Sequence, residues 1–335
     1  MSRTKLRLAK KLVFALIPTI ALVTGIELAC RSFGLGAART IESYICDWNT
    51  KWWWKNGDLF FGKSDGGAEH FRDDEVLKMF SGEHPISKAE GTRRVVFLGD
   101  SVTWGWGIAS EMQRFTWIVE QRLRDESDYV EVFNVSLGGW CPLQERIAYQ
   151  RVGRKYQPDH VVLGICLNDI PEMQNNLISP PRFAHWLYRN SNLVRAISRP
   201  HESEIYSVRE LFPTPPSSPV QHSWRIFFDE ILRLRDDVAA DGAEFSIVVF
   251  PFRFQVLPDA PDPLPQRKIG EFCREHRIGF LDALPAIKQV GADSFNDYDH
   301  FSPLGHSAVA NEIIASGLLS GKASRTGSIN SSEVR

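Results

Sequence analysis

Arg93-Arg94-Val95-Val96-Phe97-Leu98-Gly99-Asp100-Ser101-Val102-Thr103-Trp104-Gly105 carries an unbroken apolar run that halts at Gly-Asp-Ser. A short continuous apolar run bounded by turn residues reads as a strand buried on both faces of a parallel sheet. In open α/β sheets chemistry collects just beyond the carboxyl ends of the strands. Ser101 stands at such an end, with a helix expected after it, where an activated nucleophile would be rigidly held.

Outward from this run the pattern repeats. Further apolar runs occupy 129–135, 160–167, 244–251 and 278–282, and stretches of helical period fill 111–126, 142–156, 223–240, 265–277 and 303–319. In 223–240 the residues Trp224, Phe227, Phe228, Ile231, Leu234 and Val238 recur at three and four to line one face. Strand-helix alternation over 93–319 predicts an α/β domain with a five-stranded parallel sheet and helices on both faces. One insertion, 171–221, breaks the rhythm. It holds a helical piece near 182–198 and the stretch Pro213-Thr214-Pro215-Pro216-Ser217-Ser218-Pro219, expected to be a surface loop. Inserted at a strand's carboxyl end, it is placed to cover a site, though a plain surface excursion fits equally well.

Upstream, residues 1–11 hold Arg3, Lys5, Arg7, Lys10 and Lys11 and no acid, and Leu12 to Cys30 is almost wholly apolar, with Pro18 inside and Glu27 near its end. As a helix this run spans about 28 Å, the thickness of a bilayer's hydrocarbon core. The basic flank stays in the cytoplasm and puts the rest of the chain outside. A single-pass membrane anchor through residues 12–30 is the favoured reading. A cleaved signal peptide has only Gly36-Ala37-Ala38 to offer as a site. A lipoprotein signal at Leu28-Ala29-Cys30 is spoiled by Glu27. All three export the domain. Residues 31–92 form an irregular N-terminal extension rich in aromatics (Trp48, Trp52, Trp53, Trp54, Phe60, Phe61), read as packing more than as a substrate platform or membrane belt. The tail 320–335 has nothing to bury and is expected to be disordered.

Composition narrows the classes. The chain has 335 residues, 43% hydrophobic and 24% charged, enough for one large α/β domain with additions. A net charge of −2 with no basic stripe gives no reason to expect nucleic acid as a partner. Five scattered cysteines (Cys30, Cys46, Cys141, Cys166, Cys273) with no C-x-x-C pair make neither a disulfide scaffold nor a zinc site; Cys166 and Cys273 read as core fillers. Nine histidines without ligand spacing suggest no metal.

The chemistry gathers at strand ends. In Asp297-Tyr298-Asp299-His300 the acid and the imidazole are three apart, so Asp297 can reach Nδ1 and leave Nε2 to take a proton from a serine. Asp299 reads as a loop residue, and His306 as part of the closing helix. Asn134-Val135-Ser136-Leu137-Gly138-Gly139 ends the second strand and Leu167-Asn168-Asp169 the third, on the same sheet edge as Ser101. A glycine N–H and an asparagine amide are uncharged donors suited to an oxyanion; with the Ser101 N–H they make three.

Taken together, Gly99-Asp100-Ser101, Gly139, Asn168 and Asp297 with His300 resemble, in order and over about residues 93–318, the four blocks of the SGNH/GDSL hydrolases. The Phe71-Arg72-Asp73 segment resembles membrane-anchored bacterial members. That resemblance implies a flavodoxin-like three-layer α/β/α sandwich and no cofactor. It makes Ser101 the nucleophile, His300 the base, Asp297 its orienter, and Ser101, Gly139 and Asn168 the oxyanion hole. Gly139 is preferred to Gly138 because the family glycine follows the strand's asparagine by five. Cys166 departs from a glycine common two before the block asparagine. The expected function is ester hydrolysis through an acyl-serine, on an O-acyl ester of a small molecule, lipid or acylated glycan, with cell-envelope glycans within reach. An O-acyltransferase with the same triad, or a non-catalytic glycan-binding or scaffold module, are the alternatives. A rival α/β-hydrolase reading would make Ser136 the nucleophile in an elbow.

Overall fold

The computed structural model describes residues 3–35, 52–55, 58–62, 68–126, 129–177, 187, 190–198 and 200–320. The chain opens with helix α1 (Arg3–Ser32). Its side chains are described from Leu16 onward, and among the described residues no helix is long and apolar enough to cross a membrane. Where irregular chain was expected, three short antiparallel strands form a sheet of their own, β1 (Trp52–Lys55), β2 (Asp58–Gly62) and β3 (Ala68–Phe71). Helix α2 (Asp73–Ser81) follows and buries Val76 and Phe80. Two- and five-residue gaps with no long apolar run gave these strands little sequence signal. The aromatic side chains of Trp52–Trp54, Phe60 and Phe61, the Gly36-Ala37-Ala38 segment, Cys46, Trp48 and the tail beyond Ser320 lie outside the described residues.

The main sheet is built from β4 (Arg93–Gly99), β5 (Val130–Ser136), β6 (His160–Cys166), β7 (Glu244–Phe250) and β8 (Gly279–Asp282), all parallel, in the order β5-β4-β6-β7-β8. Within this sheet that is the doubly wound order 2-1-3-4-5. Connecting helices are α3 (Ser101–Trp104), α4 (Phe115–Glu126), α5 (Pro142–Arg151), α6 (Asp169–Leu177), α7 (Asn192–Ser198), α8 (Pro200–Arg209), α9 (Ser218–Ala240), α10 (Leu264–His276), α11 (Leu284–Val290) and α12 (Pro303–Ala315). Right-handed crossovers fix their sides. The chain steps from β4 to β5 in one direction and from β5 to β8 in the other, so α4 and α12 pack together on one face while α5 and α9 pack together on the opposite one. Phe228 of α9 stacks on Phe272 of α10 at 4.1 Å, which puts α10 on the second face as well.

Burial explains the continuous apolar runs: every residue of β6 is buried, as are all but Arg93 in β4. At the amino end of the sheet Arg94 is itself fully buried. Its guanidinium is paired with Glu131 (2.6 Å) and donates to the carbonyls of Pro85 (2.6 Å), Ile86 (2.8 Å) and Tyr156 (2.8 Å). A buried charge is tolerable only when so satisfied. The same bonds fasten the segment after α2 beneath the domain. The expected strands and the helices expected at 111–126, 142–156, 223–240, 265–277 and 303–319 occur, with boundaries moved by a few residues; of the helical piece near 182–198, Asn192–Ser198 is helical and most of the rest lies outside the described residues. Residues 111–126 and 142–156 each prove to be a helix plus a short 3₁₀ turn. The Pro-rich loop ends at Ser217, and Pro219 already lies in the first turn of α9.

Candidate active site

The end of β4 is shaped by what the following turn requires. A Cβ on Gly99 would lie 2.1 Å from Thr103 Oγ1 and 3.0 Å from the Gly164 carbonyl, and one on Gly164 would lie 2.3 Å from the same Thr103 oxygen. Two glycines on neighbouring strands thus open the notch into which α3 folds back. Asp100 caps that helix, its Oδ1 accepting the Val102 N–H at 2.9 Å. Ser101 is therefore the first helical residue, half-buried, at the carboxyl edge of the sheet.

The loop before α12 brings the histidine to it. Phe295 and Phe301 pair in an isolated antiparallel bridge, and Ser302 N–H donates to the Ser294 carbonyl at 2.8 Å, so residues 295–301 form a closed loop. Inside it Asp297 Oδ1 accepts the N–H groups of Asp299 (3.1 Å) and His300 (2.9 Å). Asp297 Oδ2 lies 2.7 Å from His300 Nδ1, and His300 Nε2 lies 3.0 Å from Ser101 Oγ. With a carboxylate on Nδ1, the tautomer is Nδ1–H and Nε2 is the free base that faces the hydroxyl. Burial raises the Asp297 carboxyl, but the hydrogen bond and charge of His300 and the two backbone N–H groups outweigh it and hold the group below the usual carboxylate range. It stays ionised where it is needed.

The end of β5 comes to the same place. Trp140 N–H donates to the Leu137 carbonyl at 3.2 Å, and Gly139 has φ +76°, the pattern of a type II turn with glycine at its third position. A Cβ on Gly138 would sit 3.7 Å from Ser101 Cβ, so this turn lies directly beside Ser101. At the end of β6, Asp169 Oδ2 reaches back to the Cys166 N–H (2.9 Å) and closes the tip that carries Asn168, a buried residue. Cys166 at the family's glycine position is accommodated within the strand, fully buried.

A family model for GDSL-like lipases and acylhydrolases matches residues 97–308, well over half of the chain, and spans all of these groups. The chain belongs to the GDSL-like lipase/acylhydrolase family. It is an ester hydrolase by family. No curated protein matches. Among solved structures it is similar to the lipase/acylhydrolase from Enterococcus faecalis, at 14% identity over 70% of this chain and 100% of the other, with a TM-score of 0.45. It is also similar to a catalytic mutant of an acetylxylan esterase from Geobacillus stearothermophilus (14%, 72% and 100%, TM-score 0.44). A GDSL-like lipase from Bacteroides thetaiotaomicron gives 13%, 70% and 93%, with a TM-score of 0.43.

In this acylhydrolase Ser136 cannot be an elbow nucleophile: it is fully buried as the last residue of β5 and its hydroxyl bonds Asn134 Oδ1. His306 is a core residue, its Nδ1 accepting the Phe115 N–H at 3.2 Å and its ring stacked on Phe115. Burial pushes it down to about 3, so it stays neutral. Asp299, by contrast, is more than a loop residue. Its Oδ1 lies 3.1 Å from His300 Nδ1 and its side chain is 2% exposed. It is near enough for charge to matter but not aligned for the Nδ1–H, which goes to Asp297. Burial first, then the nearby Glu204, Asp297 and Asp100, raise its carboxyl well above the usual range. Among the described residues Asp297, Asp299 and His300 are the one group whose ligand-type atoms come within 4.8 Å of one another, and those atoms surround the Nδ1 proton. The Trp106 ring lies 6.2 Å from the His300 ring. No spacing rule pointed to Asp299 or Trp106; both arrive through loop closure.

Behind Ser101 lies a group of buried acids. Asp100, Glu145 and Asp169 are all fully buried and raised, Asp100 to about 6 and the other two well above the usual range, first by burial and then by mutual repulsion, which Glu172 reinforces; backbone bonds and the charge of His300 partly offset the rise at Asp100. Among the described residues Asp100 Oδ2, both Glu145 oxygens and Asp169 Oδ1 have no hydrogen-bond partner. Burial of this kind favours the protonated forms, most of all at Glu145 and Asp169. A carboxyl raised in the folded state stabilises the fold fully below its unfolded pKa of about 4.3 and loses that contribution as pH rises toward its folded value. Thermal melts of the native protein should therefore fall between about pH 5 and pH 8, and Glu145→Gln should show a shallower fall over that range. Parallel melting curves for the two proteins would refute the assignment of a proton to Glu145.

Proposed function

We propose that this acylhydrolase cleaves an O-acyl ester through a covalent acyl-serine at Ser101. The observation that carries the reading is the unbroken line Asp297–His300–Ser101, 2.7 Å and 3.0 Å long. His300 Nε2 takes the Ser101 proton as Oγ attacks the acyl carbonyl, and the imidazolium that forms is balanced by Asp297. The carbonyl oxygen becomes an oxyanion facing the Ser101 N–H, the Gly138–Gly139 turn and the Asn168 amide. His300 then returns the proton to the leaving alcohol, and water, activated by the same imidazole, releases the acid. The family resemblance points to Gly139 as the glycine donor, and its left-handed backbone in the turn beside Ser101 supports that choice.

The membrane anchor is part of the same proposal. In its favour stand the basic flank before Leu12, the apolar run to Cys30, and the exposure of Leu16, Ile17, Ile20, Leu22, Val23, Ile26 and Leu28 on α1. Seven large apolar side chains exposed on one helix are costly in water and natural in lipid.

An active-site-directed fluorophosphonate tests the chemistry: mass spectrometry should find it on Ser101, and label on Ser136 would refute the triad. Asn168→Ala is expected to lower kcat by roughly 10²–10³ on p-nitrophenyl esters with little change in melting temperature, the usual cost of one oxyanion donor. A rate within a few-fold of native would remove Asn168 from the site. Assays with and without an acceptor alcohol separate hydrolysis from acyl transfer.

A further inference from the structure

Glu27 is the one acid inside the apolar run, and the structure gives it a use. Its Oε1 accepts the N–H of Asn192 (3.0 Å), and its Oε2 accepts the N–H of Leu193 (2.9 Å) and the hydroxyl of Ser191 (2.7 Å). Arg31, one turn on, donates to Glu27 (2.7 Å) and to the Asn190 carbonyl (2.8 Å). The outer end of α1 is thereby fastened to the start of α7, inside the 171–221 insertion. A carboxylate near the hydrocarbon edge is expensive unless paired, so this contact is strongly favoured over its absence.

The insertion is fastened to the active site as well. The helix that leads into it, α6, starts directly after Asn168. In α8, Glu204 Oε2 accepts the Tyr298 hydroxyl at 2.8 Å, and Tyr298 sits between Asp297 and Asp299. Arg209 lies 4.5 Å over the Phe254 ring, beside the same loop. Two of its large side chains, Ile197 at 70% and Tyr206 at 65%, are exposed, of the apolar and amphipathic kinds that settle at a bilayer interface.

Resting on the reading of α1 as an anchor, we infer that Glu27 and Arg31 pin the insertion so that the active-site mouth opens at the bilayer surface, and that the substrate is an acyl ester carried on a membrane-embedded molecule. Such an ester needs no diffusion through bulk water to reach Ser101; it needs the mouth held in the plane where the ester lies.

The full chain reconstituted in phosphatidylcholine vesicles tests this with two probes, a 4-methylumbelliferyl ester of a long-chain fatty acid dissolved in the bilayer and water-soluble p-nitrophenyl acetate. The double variant Glu27→Gln, Arg31→Gln removes the pin and leaves the apolar run intact. It should lose about tenfold on the bilayer ester, the scale of a misoriented site, and stay within about twofold on the soluble one. An unchanged rate on the bilayer ester, or an equal loss on both probes, overturns the inference. Flotation separates the two readings. If the native protein fails to float with the vesicles, the anchor falls and the inference with it; if it floats and the ratio of rates is unmoved by the double variant, the inference alone falls.

Discussion

Replacing Ser101 with alanine should lower kcat on any ester the native protein turns over by about 10⁴- to 10⁶-fold, a loss of about 5–8 kcal/mol of transition-state stabilisation. The size follows from what remains. His300 and Asp297 keep their 2.7 Å contact, and the proposed oxyanion donors are untouched, yet no atom is left to form the acyl bond. Water would have to attack in its place, unpositioned. The fold should survive, because the lost hydroxyl makes a single hydrogen bond, to His300, worth about 1 kcal/mol. Asp100 rather than Ser101 caps α3. The melting temperature should therefore move by only a few degrees. A variant that keeps more than about a hundredth of native activity would make the triad a bystander.

Much of this was legible in the chain. Continuous apolar runs read as strands because β4 and β6 are buried on both faces, where periodicity of two has no reason to appear. Ser101, His300 and Asp297 were legible because their spacing reflects local geometry: a strand end, a capped turn, a carboxylate reaching three residues on. What stayed hidden depends on tertiary closure. The β1–β3 sheet is short and pairs across tight gaps, with Leu59 its one fully buried described side chain. Glu27 looked like a flaw in an apolar segment until the start of α7, far along the chain, supplied its donors. Glu145 reads as an ordinary polar residue in the first turn of α5 and is instead sealed behind the nucleophile. Asp299 lay inside the motif, but sequence spacing favours Asp297 and says nothing of a second carboxyl brought beside the same nitrogen.

That second carboxyl sets an unusual expectation for the orienting acid. With Asp297 replaced by asparagine alone, a site with one carboxylate would lose about 10⁴-fold in kcat, since the histidine would lose its tautomer and its counter-charge. Here Asp299 Oδ1 is already 3.1 Å from Nδ1, within reach of its proton. What works against its charge is burial, then Glu204, Asp297 and Asp100, which raise its carboxyl well above the usual range. Removing Asp297 removes one of those like charges, so its carboxyl should fall back toward the ordinary range. Below its remaining raised value it is neutral and cannot balance an imidazolium; above it, the anion can. Asp297→Asn should therefore lose only about 10²-fold at alkaline pH and progressively more as pH falls, with the acid limb of its kcat profile displaced upward relative to native. Asp299→Asn alone should cost no more than a few-fold at neutral pH, because it replaces a group that is already uncharged. The double variant should show the full loss of about 10⁴-fold with no recovery at high pH, more than the two single losses combined. Steady-state rates for the four proteins from about pH 5 to pH 9 decide it. If Asp297→Asn matches the double variant at every pH, Asp299 does not share the orienting role and its proximity is only a consequence of how the loop closes.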